Sequence, residues 1–201
     1  MVAMARRPGG RTSGFTLLEL LFVVAIAGTL AAIAVPHSLR ALDDFHTRSA
    51  ARYLAQRIGS ARFEAIRRAT AHGLRFTAGV PDYTMTAVAD GNRNGVRTSE
   101  LASGIDRVLS EPERIDGHFG GVSFGLHEGV PDADGHAAGS LDGVRIGTAR
   151  LLVVNADGTA TSGTLYLRGR GRSQYAVRVL GITGRVRVLR FDAIRHQWID
   201  V

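Results

Sequence analysis

The chain has 201 residues, enough for one domain with a core plus an attached helix. It contains no Cys, which excludes a disulfide framework and any thiolate metal site. Net charge is +7 and every one of the 25 basic residues is Arg, a bias that GC-rich coding also produces, so Arg content alone does not argue for nucleic acid. Its distribution says more. Residues 1–14 hold three Arg and no acid, residues 73–162 hold seven Arg against twelve acids, and residues 163–201 hold eight Arg against two acids. The two ends are basic and the middle is acidic.

The first predicted element is apolar. A short basic segment, MVAMARRPGGRTSG, is followed by FTLLELLFVVAIAGTLAAIAV, 21 residues with one charge, Glu19. As a helix that run spans roughly 30 Å, the thickness of bilayer hydrocarbon. Arg6, Arg7 and Arg11 precede it, so the positive-inside rule predicts a single pass with a cytoplasmic N-terminus and the remainder outside. The run is longer than the apolar core of a secretory signal, and a charge interrupts it. A plain anchor would leave Glu19 as an unexplained cost of about 2.5 kcal/mol or more. An intramembrane carboxylate calls for a partner.

Those residues carry a family resemblance. A basic leader, then Gly14, Phe15, Thr16, Leu17 and Glu19, then an apolar helix ending at Pro36, resembles the class III signal of type IV pilins and type II secretion pseudopilins. The resemblance implies a leader, residues 1–14, removed by a prepilin peptidase between Gly14 and Phe15. It implies methylation of the new amine on Phe15. Residues 15–36 would be the transmembrane and filament-core helix. Glu19 would pair with the N-terminal amine of a neighbouring subunit, since a buried charge is tolerated only when matched. Glu19 is then an assembly residue, not a catalytic one.

Pro36 is expected to kink or break the helix. Beyond it, residues 37–73 place Leu39, Leu42, Ala50, Leu54, Ile58, Ala61, Ala65 and Ala69 at steps mostly of three and four, one stripe of an amphipathic helix. The stripe suits packing on a sheet or binding a partner, and Gly73 is the expected stop. From residue 74 the pattern turns to short alternating runs at 74–77, 83–88, 121–126, 150–154, 164–168, 175–180 and 185–191, with a last one at 194–199. The fold class is α+β: a long N-terminal helix packed on antiparallel sheets, with a β-rich domain over 74–201. ARYLAQRIGSARFEAIRRA, DGTATSGTLYLRG and YAVRVLGITGRVRVLRFD resemble the GspH/FimT group of minor pseudopilins, which implies two small antiparallel sheets against the helix.

Three groups could carry chemistry. Asp90, Asn92, Asn94 and Gly95 match the opening of a calcium loop, but the twelfth position is Leu101, Glu100 falls one place early, and no helix pair brackets the loop. A polar hairpin turn is the competing reading. His118, His127 and His136 lie nine apart, a spacing that puts no two on one helix face. The third group is basic. Arg170 and Arg172 sit in the Gly-rich stretch LRGRGRSQ, and YAVRVL–GITG–RVRVLRF reads as a hairpin in which Leu180 faces Arg185 and Arg178 faces Arg187. Alternation puts Arg178, Arg185 and Arg187 on one face, and Val177, Val179, Val186 and Val188 on the core face. Like charges directly opposite destabilise a sheet, so nearby acids or a polyanion must neutralise them. Gly184-Arg185-Val186-Arg187 resembles the DNA-contacting motif of minor pilins that take up DNA, which implies DNA as an alternative partner.

No enzyme signature is present: no GxSxG elbow, no P-loop, no HExxH. No cofactor is called for. The sequence is read as a minor pseudopilin of a type II secretion or type IV pilus filament. Its expected partners are other pseudopilins, a prepilin peptidase and the bacterial inner membrane, with the β domain periplasmic.

Overall fold

The computed structural model describes residues 14–201. Residues 1–13, all but the last residue of the expected leader 1–14, lie outside the described residues. The chain forms two units, one running to Leu39 and one over Arg40–Val201, with a single helix, α1 (Leu17–Arg68), contributing to both. Within the first unit the helix is apolar on every side and exposed along its length.

Helix α1 continues through Pro36 instead of breaking there. Proline removes one intrahelical hydrogen bond, and long helix-favouring runs on both sides carry the helix across that gap. The end of α1 also differs from the expectation. It stops at Arg68, not at Gly73. Ala69 takes the left-handed conformation (φ 51°), Ala69 N–H donates to Ile66 O at 3.4 Å, and Thr70 N–H donates to Ala65 O at 3.2 Å. That pair of bonds is a Schellman end with alanine where glycine is usual.

The elements that follow are β1 (His72–Thr77), β2 (Thr84–Ala89), α2 (Thr98–Ser103), β3 (Arg107–Val108), β4 (Glu113–Arg114), α3 (Ile115–His118), β5 (Ser123–Phe124), β6 (Val144–Arg145), β7 (Leu151–Val154), β8 (Gly163–Arg168), β9 (Gln174–Leu180), β10 (Arg185–Asp192) and β11 (Gln197–Asp200). All pairings are antiparallel. One sheet runs β3-β2-β1-β7, with β4 also on β2; the other runs β11-β10-β9-β8-β5, with β6 also on β8. Gly73 therefore lies inside β1 against β7, where a Cβ would meet the carbonyl of Leu152. The glycine is needed for close strand approach, not for ending the helix.

The stripe on α1 buries Thr47, Ala50, Ala51, Leu54, Ile58 and Ala65, while Leu39, Leu42 and Ala69 stay exposed. Ala50, Ala51, Leu54, Ile58 and Ala65 share one core with Leu74, Met85 and Leu152 of the first sheet and Leu165, Tyr175 and Val177 of the second. The small side chains at 50 and 51 let the helix backbone come close to the strands. On its other face the second sheet is covered by the segment 126–138, where Leu126 packs with Tyr166, Ala176 and Leu189, flanked by Trp198.

Candidate assembly site and the arginine face

Gly14, Phe15 and Thr16 precede the first turn of α1, so the Gly14–Phe15 bond lies outside helical hydrogen bonding, and Phe15 is 80% exposed. Thr16 starts the helix. Its Oγ1 accepts the Glu19 N–H at 3.2 Å, and its carbonyl accepts the Leu20 N–H at 3.1 Å. Thr16-Leu17-Leu18-Glu19 is the T-x-x-E pattern of a capping box. Sequence reasoning missed this role of Thr16, although the spacing was legible. Glu19 also lies in the first turn, where a carboxylate complements the positive end of the helix dipole. Among the described residues it has no cationic partner. Helix α1 contains an 18-residue window of mean hydropathy 2.4 with none of its residues buried. A helix apolar on all sides needs lipid or other helices around it.

The arginines fall in two places. In the loop before β9, glycine and arginine alternate for a reason. Gly171 N–H donates to Asp43 Oδ2 at 3.1 Å, and a Cβ at Gly171 would sit 2.8 Å from that oxygen. A Cβ at Gly169 would meet Asp43 and Thr47. The glycines thus face α1. Arg170 lies along Gly121, and Arg172 points outward. In the hairpin, the predicted register is the one observed: Arg185 opposite Leu180 and Arg187 opposite Arg178. Gly184 takes φ 59° at the turn, and its carbonyl accepts Arg62 Nη1–H at 3.3 Å. Val177 and Val179 are buried, and Val186 and Val188 pack against the same core.

Acids settle two of the like charges. Arg178 pairs with Asp134 at 2.7 Å, and Arg187 pairs with Asp200 through Nε at 2.9 Å and Nη2 at 2.7 Å. Arg170, Arg172 and Arg185 have no carboxylate partner among the described residues. The five candidate DNA-contacting arginines therefore do not form one continuous free face.

The 90–95 loop is closed on itself. Asp90 Oδ1 accepts the N–H groups of Asn92 at 2.9 Å and Arg93 at 2.7 Å, and its Oδ2 accepts that of Gly95 at 2.8 Å. Burial opposes the charge on Asp90, but these bonds outweigh it and hold the carboxyl below its usual range. Asn92 and Asn94 turn their amide N–H groups to Glu100, at 3.1 and 2.8 Å. Leu101, at the position a calcium loop gives to glutamate, is buried. His118 sits 3.5 Å from Glu113, His136 sits 3.7 Å from Asp132, and His127 is partly buried with no carboxylate in salt-bridge reach among the described residues. Among the described residues no group of three or more His, Asp or Glu is placed to hold a metal ion.

Residues 10–35 match the family model described as the prokaryotic N-terminal methylation motif. The chain is 42% identical over 81 residues to the pilin-like protein PilA1 of Thermus thermophilus, a match covering 40% of this chain and 51% of that one. It spans about half the length of that relative. Two solved structures of the minor pseudopilin EpsH from the type II secretion system of Vibrio cholerae are similar over 72% of this chain. One is 18% identical with a TM-score of 0.44 over 97% of its own length, and the other 16% with 0.46 over 94%. The chain carries the methylation motif of prepilin-type proteins, and behind it runs a long helix whose later part packs on antiparallel sheets.

Proposed function

We propose that the chain is a minor pseudopilin of the GspH/FimT kind, a structural subunit of a type II secretion or type IV pilus filament. It is inserted with its N-terminus in the cytoplasm, cut by a prepilin peptidase between Gly14 and Phe15, and methylated on the Phe15 amine. The observation that carries this reading is Glu19, a lone carboxylate in the first turn of a helix whose apolar first part, up to Leu39, is wholly uncovered in the single chain. An amine on the mature N-terminus of a neighbour would match Glu19, and neighbouring helices would cover the apolar surface. The role is structural; the chain is a substrate of the peptidase, not an enzyme. A DNA receptor is less well supported, because Arg178 and Arg187 already hold Asp134 and Asp200.

The test combines a mass measurement with a filament assay. The mature chain is expected to begin at N-methylated Phe15. Glu19→Ala is expected to be processed and then to be depleted at least tenfold from sheared filaments. A mature chain beginning elsewhere, or a Glu19→Ala variant that enters filaments at the wild-type level, overturns the reading.

A further inference from the structure

A groove of about 340 Å³ opens beside the first residues of the Arg40–Val201 unit. Arg40 of α1, Arg172 of the loop before β9, and Arg190 and Phe191 of β10 line it, with Ile194 from the β10–β11 turn at its lip. Three carboxylates line it as well, but they are half-buried and turned to donors in the protein. Asp43 takes Gly171 N–H at 3.1 Å, Asp44 takes the Tyr175 hydroxyl at 3.1 Å, and Asp192 takes the N–H groups of Ile194 at 2.9 Å and Arg195 at 3.2 Å. Arg40, Arg172 and Arg190 are exposed, and no carboxylate lies within salt-bridge reach of them among the described residues. Acids inward and guanidiniums outward give the rim a positive face. Ile194, 97% exposed, stands beside it with nothing apolar to cover it.

We propose that this groove seats the phosphate headgroup of an anionic membrane lipid, with Ile194 dipping into the acyl boundary. Chain continuity selects the occupant. Arg40 follows the last apolar residue of the span, Val35, by five residues. Five residues of helix rise about 7.5 Å, and the headgroup layer outside the hydrocarbon is about 5–8 Å thick. A guanidinium at that depth meets lipid phosphate, which its planar fork binds through two parallel hydrogen bonds. An apolar tip beside cations is the pattern of an interfacial contact. The groove would hold the subunit at the bilayer surface until it is extracted.

The full chain, purified in detergent with its span, provides the test. Native mass spectrometry would count retained phosphatidylglycerol and phosphatidylcholine adducts, with inorganic phosphate and a short DNA duplex as competitors. Wild type and Arg185→Gln, which changes an exposed arginine outside the groove, are expected to retain phosphatidylglycerol equally. Arg172→Gln/Arg190→Gln is expected to lose at least tenfold, and Ile194→Ser about threefold. Phosphatidylcholine adducts should not change. Equal retention by the double variant, or equal loss in Arg185→Gln, overturns the proposal. So does complete displacement by millimolar phosphate, which would mark a free-phosphate site, or by the duplex, which would mark a nucleic-acid site. The measurement reads isolated chains, so it stands apart from the outcome of the filament assay.

Discussion

His127 is a residue whose setting no sequence pattern shows. Its Nε2 is buried without a hydrogen-bond partner among the described residues. Burial pushes the imidazole below its ordinary value, and the Arg168 guanidinium of β8 and Arg172 add to this, while a hydrogen bond with the Ser173 backbone and the charge of Asp43 oppose them. Folding therefore favours the neutral ring. In the unfolded chain it protonates near pH 6.5. Below that pH the unfolded state binds the extra proton, so stability falls as pH falls. From this ring the slope is at most about 1.4 kcal/mol per pH unit, and it levels off once the folded form protonates. His127→Gln should weaken that dependence. Denaturant midpoints of the full chain in detergent at pH 7.5 and 5.5 would check it, and identical pH differences in variant and wild type would refute it.

At the scale of elements, the junction between α1 and β1 exchanges the roles that composition suggested. Gly73 looked like a helix stop because glycine favours left-handed backbone. The residue in that conformation is Ala69, at φ 51°. An L-residue there costs about 1–2 kcal/mol, which glycine avoids at the cost of greater freedom in the unfolded chain. Ala69→Gly is expected to stabilise by roughly 1 kcal/mol. Gly73→Ala should do the opposite, by about 3 kcal/mol or more, because β7 cannot move away from a new methyl without giving up pairing. Thermal midpoints of the two variants should move in opposite directions, and a shift of both the same way would contradict this assignment. The alternation in LRGRGRSQ shows the same limit of local reading. The arginines drew notice, yet it is the glycines that Asp43 constrains from more than a hundred residues away in sequence.

Across the whole molecule, what periodicity could reveal was revealed. The apolar run, the α1 stripe over Ala50, Leu54, Ile58 and Ala65, and the β9–β10 register all follow from spacing. The short pairings at β3, β4 and β6 did not show, because two-residue strands have no period to display. Nor did the partners of the arginines, since Asp134 reaches Arg178 only once the segment 126–138 folds over the sheet. One core joins α1 to both sheets, so Arg40–Val201 should unfold as one cooperative unit. Two polar latches reinforce that union. Glu113 of β4 receives Tyr53 at 2.7 Å and Arg57 at 2.9 and 2.7 Å, fixing α1 to the first sheet. Asp44 receives the Tyr175 hydroxyl at 3.1 Å, fixing α1 to the second; burial and the Asp44 charge push that phenol to about 12, so it stays a donor across the working pH range. Tyr175→Phe should cost about 1 kcal/mol, and Glu113→Gln about 1–3 kcal/mol because Arg57 loses its counterion. Asp44 and Arg57 are 13 residues apart on one helix, or about 20 Å. At that distance the double variant should lose the sum of the two costs to within about 0.5 kcal/mol, and urea unfolding followed through Trp198 and through helical circular dichroism should give one midpoint. A double variant that falls clearly short of the sum, or two separated midpoints, would mean that the sheets come away from α1 independently.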